Sequence, residues 1–285
     1  MTSFRKIARL HPALRDDIQD LQTRRPVPGP GLDHLGPFLF LNHHGPQIYP
    51  PRNGGLPFGP HPHRGFETVT FILQGSLTHR DTAGHESIIH AGGVQWMTAG
   101  SGLVHEEVSS DAFRREGGPL EILQLWVNLP ARLKMTQPRY TGLQHDAIPV
   151  LTTADGLARV NLISGDYAGQ TGPIPSLTGI FMTTVEAQAG ARITFEALQG
   201  RQVFLYVARG AIMIDGKAAL AGNLVNLTEG DAVEITATED SIVLFGHGDP
   251  INEPIVSGGP FVMNTEAEIR QAFADYRAGR FDAPA

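Results

Sequence analysis

The sequence predicts a mainly β fold: two β-barrels in tandem, with a helix at the C-terminus. Three observations carry this. Short runs of β-branched and aromatic residues are closed again and again by turn residues, and the 285-residue chain holds 33 Gly and 21 Pro. Two stretches then echo each other: "VTFILQGSLTHRDTAG" and "FLYVARGAIMIDG" both run strand, glycine, strand, glycine turn, and the Gly-led strands "GGVQWMTA" and "GDAVEITA" follow them. Only near the end does the apolar period change to that of a helix, in "NTEAEIRQAFADYRAGRF".

Element by element, "HPALRDDIQDLQ" (His11 to Gln22) predicts a short helix begun at Pro12, with Leu14, Ile18 and Leu21 on one face. "RRPVPGPGLDHLGP" reads as loop. From Phe66 to Gly100 the chain alternates strand and turn as an antiparallel sheet would. Pro119 to Pro130 is another strong strand. The pattern loosens near residues 135–150, and further strands follow up to "DSIVLFGHGDP". In the closing helix Thr265 and Glu268 form a capping box, and Ile269, Ala272, Phe273 and Tyr276 form its apolar stripe. The expected domains are an extension over residues 1–25, one barrel over 26–140, and a second over 141–285 that carries the helix.

Composition narrows the function. The formal charge is -7 and the sequence has no cysteine. Disulfides, Cys-ligated zinc and Cys nucleophiles are excluded, and a basic nucleic-acid surface is not expected. No membrane-length apolar run and no secretory leader is evident, so a soluble cytoplasmic protein is expected.

The chemistry concentrates in "HPHRGFETVTFILQG" and "GSGLVHEEV". Residues two apart on a strand share a face, so His61 and His63 point together, and the same parity includes Glu67. Forty-two residues after His63 come His105 and Glu107, again two apart. If the two segments lie side by side, three imidazoles and one carboxylate converge. Such mixed N/O ligation suits Fe(II), Mn, Ni, Cu or Zn, with coordination positions left open for catalysis. Glu107 supplies the carboxylate, and Glu67 is expected beside the metal or on the substrate side, with a ligand role as the lesser alternative. Glu106 faces away. His43 and His44 are expected in a loop, and His85 and His90 on the surface. Superposing Gly210 on Gly75 puts Glu196 and Leu198 in the places of His61 and His63, and Asp240 near that of His105. The second barrel is therefore expected to be metal-free.

These residues resemble the cupin superfamily and, within it, the pirin family. The first motif reads Gly55, five residues, His61, x, His63, three residues, Glu67, then Gly75. The second reads Gly93 … Gly102-Leu103-Val104-His105. Ala99 stands near the usual cupin proline and the late asparagine is missing. Pirins share those departures, along with "VQWMTAGSGLVHEE" and "EPIVSGGPF". The likeness runs from "GPGLDHLGPF" to "RAGRF". It implies a bicupin whose first jelly-roll barrel holds one metal, usually iron, on His61, His63, His105 and Glu107. It implies an Fe(II) dioxygenase of quercetin 2,3-dioxygenase type, taking a small aromatic substrate and O2, with Glu107 or Glu67 as general base. It equally allows a metal- or redox-responsive regulator that binds a transcription factor or metabolic enzyme. A cupin isomerase or an inactive remnant is a third reading.

Overall fold

The computed structural model describes residues 2–282. The chain is mainly β and forms two compact units that interleave along the sequence. One comprises the segment ending at Leu14, Arg24–Phe40 and Asp146–Pro250. The other comprises Arg15–Thr23, Leu41–His145 and the chain from Ile251 onward. The break between His145 and Asp146 falls where the pattern loosens.

Each unit is a two-sheet barrel, and the two share a strand order. In the amino-terminal barrel a four-stranded sheet runs Phe58–His63, Leu103–Val108, Ser76–Asp81, Glu86–His90. Against it stands a longer sheet ordered Arg139–Leu143, Val94–Thr98, Phe66–Gln74, Gly118–Asn128, Phe38–Tyr49. In the carboxy-terminal barrel the four-stranded sheet runs Arg192–Phe195, Val233–Ala237, Ala211–Ile214, Lys217–Leu220. Its longer sheet begins Ile7–Pro12, Asn223–Leu227, Gln202–Arg209, Ser241–Gly248, Phe181–Ala187. The hairpins that echo each other in sequence turn on Gly75 and Gly210. Both have positive φ (84° and 74°), and at each a Cβ would meet backbone.

Two expectations are corrected at the ends of the chain. Residues 11–22 contain no helix. Ile7–Pro12 is a strand paired antiparallel with Asn223–Leu227, and Leu14–Arg15 is another short strand. A short isolated helix gains little in water, whereas strand pairing gives Ile7–Pro12 and Leu14–Arg15 backbone partners, and the chain beyond them turns at the Ile18–Leu21 bridge. Ile7 and His11 are buried while Ala8 and Arg9 stay exposed. Ile7–Pro12 is thus an edge strand of the carboxy-terminal barrel, not part of an extension. After the short helix α1 (Asp111–Glu116), the closing helix, α2 (Glu266–Arg277), forms as expected: Thr265 Oγ1 accepts from the Glu268 amide at 3.2 Å, and Glu268 Oε2 accepts from the Asn264 amide at 3.0 Å. Ile269 and Ala272 are buried, but Tyr276 is 39% exposed. The helix belongs to the unit of the amino-terminal barrel, not to the second barrel. Its Asp275 forms a buried ion pair with Arg64 (2.7 Å), and the following Phe281 packs on Phe261.

Candidate metal centre

Strand pairing builds the centre. In the ladder between Phe58–His63 and Leu103–Val108, His105 lies opposite His61 and Leu103 opposite His63. The three imidazoles therefore meet inside the barrel, each contributing a ring nitrogen to a set within 4.8 Å. This is the one group of three or more His, Cys, Asp or Glu able to hold a metal among the described residues. His61 is half-buried; His63 and His105 are buried.

The hydrogen bonds show which nitrogens are available. His61 Nδ1 is bonded to the Gly59 carbonyl (2.8 Å) and His63 Nδ1 to the Pro260 carbonyl (3.1 Å). Both rings donate through Nδ1, which leaves Nε2 as the nitrogen that can ligate, as in metal-ligating histidines. His105 is buried, with no hydrogen-bond partner for either nitrogen among the described residues. A buried imidazole with two idle nitrogens is costly unless something binds it. Burial, reinforced by His61, pushes His63 down to about 3, and burial holds His105 well below the ordinary range. Both are thus neutral near pH 7, the form that ligates a metal. The donor set fits a divalent cation.

Glu107 shares the inward face of its strand with His105 and is 1% exposed. Its carboxylate lies outside the 4.8 Å set. It accepts from Thr70 Oγ1 (3.1 Å), Gln95 Nε2 and Gln124 Nε2. Gln95 and Gln124 flank Thr70 on neighbouring strands, so one row of neutral donors grips the anion. Tyr140 extends the network: its hydroxyl donates to Gln95 Oε1 (3.2 Å), and its ring stacks on His79 at 4.0 Å. His79 lies 5.4 Å from the His105 ring and is bonded to the covered side chain of Asp81 (3.0 Å). Phe66 and Trp126 pack against His63, at 5.0 and 5.3 Å. Glu106 faces outward and pairs with Arg80 at 3.0 Å, as its parity predicts.

Glu67 does not face the histidine centre. The parity argument assumed one continuous strand from His61, but the strand ends at His63 and a new one begins at Phe66. Between them Gly65 has φ +89°, and a Cβ there would collide with the Val262 carbonyl. Across this break the faces exchange. Phe66 and Thr70 point to the centre, so Glu67, an odd number of residues from each, points to the opposite face. There it accepts from Thr98 Oγ1 at 2.6 Å. Burial pushes its carboxyl up to about 7, against the pull of the hydrogen bonds from Thr98 and Trp96. His43 and His44 are also displaced from expectation. Both are buried in the strand Phe38–Tyr49, His43 bonded to Glu121 (2.9 Å) and His44 to Thr23 (2.8 Å).

The carboxy-terminal barrel shows what fills the same architecture without polar groups. Glu196 and Leu198 lie beyond the end of its pairing strand, and Asp240 sits in a turn accepting from the Ala189 amide. The inward residues of the counterpart strands are Ile193, Phe195, Val233 and Ile235. The Phe195 and Phe245 rings stack at 3.9 Å in the middle of the barrel.

Two jelly-roll barrels of one strand order, with a three-histidine centre in the first, define a bicupin. Comparison with known proteins agrees. The pirin family model matches residues 20–127 and the pirin C-terminal cupin domain matches residues 182–282. A pirin-like protein of Caulobacter vibrioides is 40% identical over 88% of this chain and 90% of its own. The crystal structure of a quercetin 2,3-dioxygenase from Acinetobacter baumannii superposes with a TM-score of 0.91 at 33% identity, covering 98% of this chain and 99% of that one. A bacterial pirin from Escherichia coli, solved in complex with nickel(II), shares the fold at TM-score 0.68 and 21% identity, over 85% of this chain and 99% of that one. The chain belongs to the pirin family. No described helix is long and apolar enough to cross a membrane.

Proposed function

We propose that this pirin is a mononuclear metal dioxygenase of the quercetin 2,3-dioxygenase type, acting on a flavonol or related phenol with O2. His61, His63, His105 and Glu107 would hold Fe(II). The observation that carries this reading is His105, which is buried with both ring nitrogens idle beside two imidazoles already turned by their Nδ1 bonds. The likeness to the Acinetobacter enzyme supports the choice of chemistry. A redox-active cation held there would supply Lewis acidity toward a phenolic oxygen and a route for electrons from the bound substrate, which is the group oxidised, to O2. Glu107 has two roles open to it: completing the ligand set, and accepting the proton of the substrate hydroxyl. Its row of neutral donors keeps it fixed for either. Phe66 and Trp126 offer flat apolar surface beside His63 and keep water away. Glu67 has no part in the proton transfer, because it faces the other side of the sheet. The test is oxygen uptake by anaerobically iron-loaded protein given a flavonol, against a His61→Ala control. Uptake no greater than the control across several phenols would sink the enzyme reading.

One observation favours a second reading, a metal-responsive regulator that binds a transcription factor or metabolic enzyme. Arg64, next to His63 in the chain, donates to Asp275 of α2, and that helix carries exposed Tyr276. Partner capture that changes with metal state, alongside absent oxygen uptake, would select it.

A further inference from the structure

The His61-x-His63 strand ends in a turn that the C-terminal segment grips from behind. His63 Nδ1 donates to the Pro260 carbonyl (3.1 Å), and the Val262 amide donates to the Arg64 carbonyl (3.1 Å). Lys134, 1% exposed, donates to the Gly65 carbonyl (2.8 Å), the Val262 carbonyl (3.0 Å) and Asn128 Oδ1 (2.7 Å). Arg64 donates through Nε to the Ser101 carbonyl (2.7 Å) and through Nη1 to Asp275 Oδ2 (2.7 Å) of α2. Its guanidinium lies 4.5 Å from the centre of the Phe281 ring. Asp275 also accepts from Gln271 (2.8 Å) and Arg280 (2.7 Å).

Plain helix packing does not require this arrangement. Among the described residues no carboxylate is hydrogen-bonded to the Lys134 ammonium; its three acceptors are carbonyl-type oxygens, two of them in the turn and the hairpin next to His63. Burial lowers its pKa to about 8, a cost that an apolar residue of similar length would not carry. The Lys134 and Val262 bonds fix the Arg64–Gly65 turn that follows His63 and the hairpin whose Pro260 carbonyl accepts from its ring, and Arg64 ties that turn to α2.

We propose that metal occupancy of the histidine centre and seating of α2 are thermodynamically coupled, with Lys134, Arg64 and Asp275 as positioning residues for His63. The inference rests on the metal-site reading above, not on the dioxygenase activity. Because coupling is reciprocal, loosening α2 weakens the metal, and binding the metal tightens α2. Outer partners of a ligating histidine typically change affinity by about 10–100-fold.

The test uses full-length apoprotein and Ni(II) alone. Calorimetric titration should show Asp275→Asn binding Ni(II) about 10-fold or more weaker than the parent, with the far-UV spectrum unchanged and Asp275→Glu restoring part of the loss. Hydrogen exchange should slow across Glu266–Arg277 when Ni(II) is added to the parent, and slow less in Asp275→Asn at saturating Ni(II). Should Asp275→Asn fail to fold, Lys134→Met puts the same question. Folded variants with parental Ni(II) affinity, or helix exchange indifferent to Ni(II), would overturn the coupling. His105→Ala separates the two levels: if it binds Ni(II) as the parent does, the site itself is misassigned and the coupling falls with it.

Discussion

The two barrels share a strand order and differ in what they place inside it. Between the paired strands of the first stand His61, His63, His105 and Glu107, with Thr70, Gln95 and Gln124 across from them. The counterpart strands of the second present Ile193, Phe195, Val233 and Ile235, with Val207, Val243 and Phe245 on the longer sheet. One interior is a polar network left incomplete at His105; the other is a closed apolar core. The architecture tolerates both, so the chemistry resides in the side chains grafted onto it.

The sharpest way to break the comparison is to remove the feature that distinguishes the first barrel. His105→Ala should lower bound metal from about one equivalent to near zero, read by elemental analysis after anaerobic loading. Full retention would show that the three imidazoles are not the ligands. Next in size, Phe195→Ala should destabilise the second barrel by about 3–5 kcal/mol in urea denaturation, because it opens a cavity against Phe245. A cost below 1 kcal/mol would mean that this barrel is not the close-packed body described.

The third prediction concerns pH. The Glu67 carboxyl is pushed up to about 7 from an ordinary 4.5. Between those values the folded state keeps a proton that the unfolded state releases, so stability falls as pH rises through the window. Glu67→Gln removes that fall. It should be more stable than the parent at pH 8 by about 2–3 kcal/mol and near-equal at pH 4. His247, in the other barrel, runs the opposite way. Burial lowers its pKa to about 3 from 6.5, so its contribution is lost as pH falls from about 6.5 toward 3, and His247→Phe should flatten that acid limb. Matching pH profiles for parent and variants would refute both. Smallest of all, Glu106→Gln breaks only an exposed pair with Arg80. It should leave metal content and denaturant midpoint unchanged.

Much of this was legible in the chain. The spacing of His61, His63 and His105 brought out the centre, because residues two apart on a strand share a face and the glycine turns signalled which strands are neighbours. The capping box at Thr265 marked the helix correctly, since it is a local device. Glu67 was misplaced because a single glycine at position 65 ends one strand and starts another, and parity does not survive such a break. The grips on Glu107 were invisible: Thr70, Gln95 and Gln124 look like ordinary polar residues on a strand until register lines them up across three strands. Lys134 and Arg64 gave no signal, since their partners lie up to 211 residues away.

What the sequence by itself determined was local: strand and turn alternation, two like barrels, the helix cap, and the residue types a metal would need. Each follows from interactions spanning a few positions. Only the tertiary structure decided which face Glu67 takes, which barrel the first strand completes, and that the chain's end returns to hold His63. Those outcomes depend on backbone pairing and buried hydrogen bonds between segments far apart in sequence. No local pattern encodes them, because the free energy that selects them exists only once the segments meet.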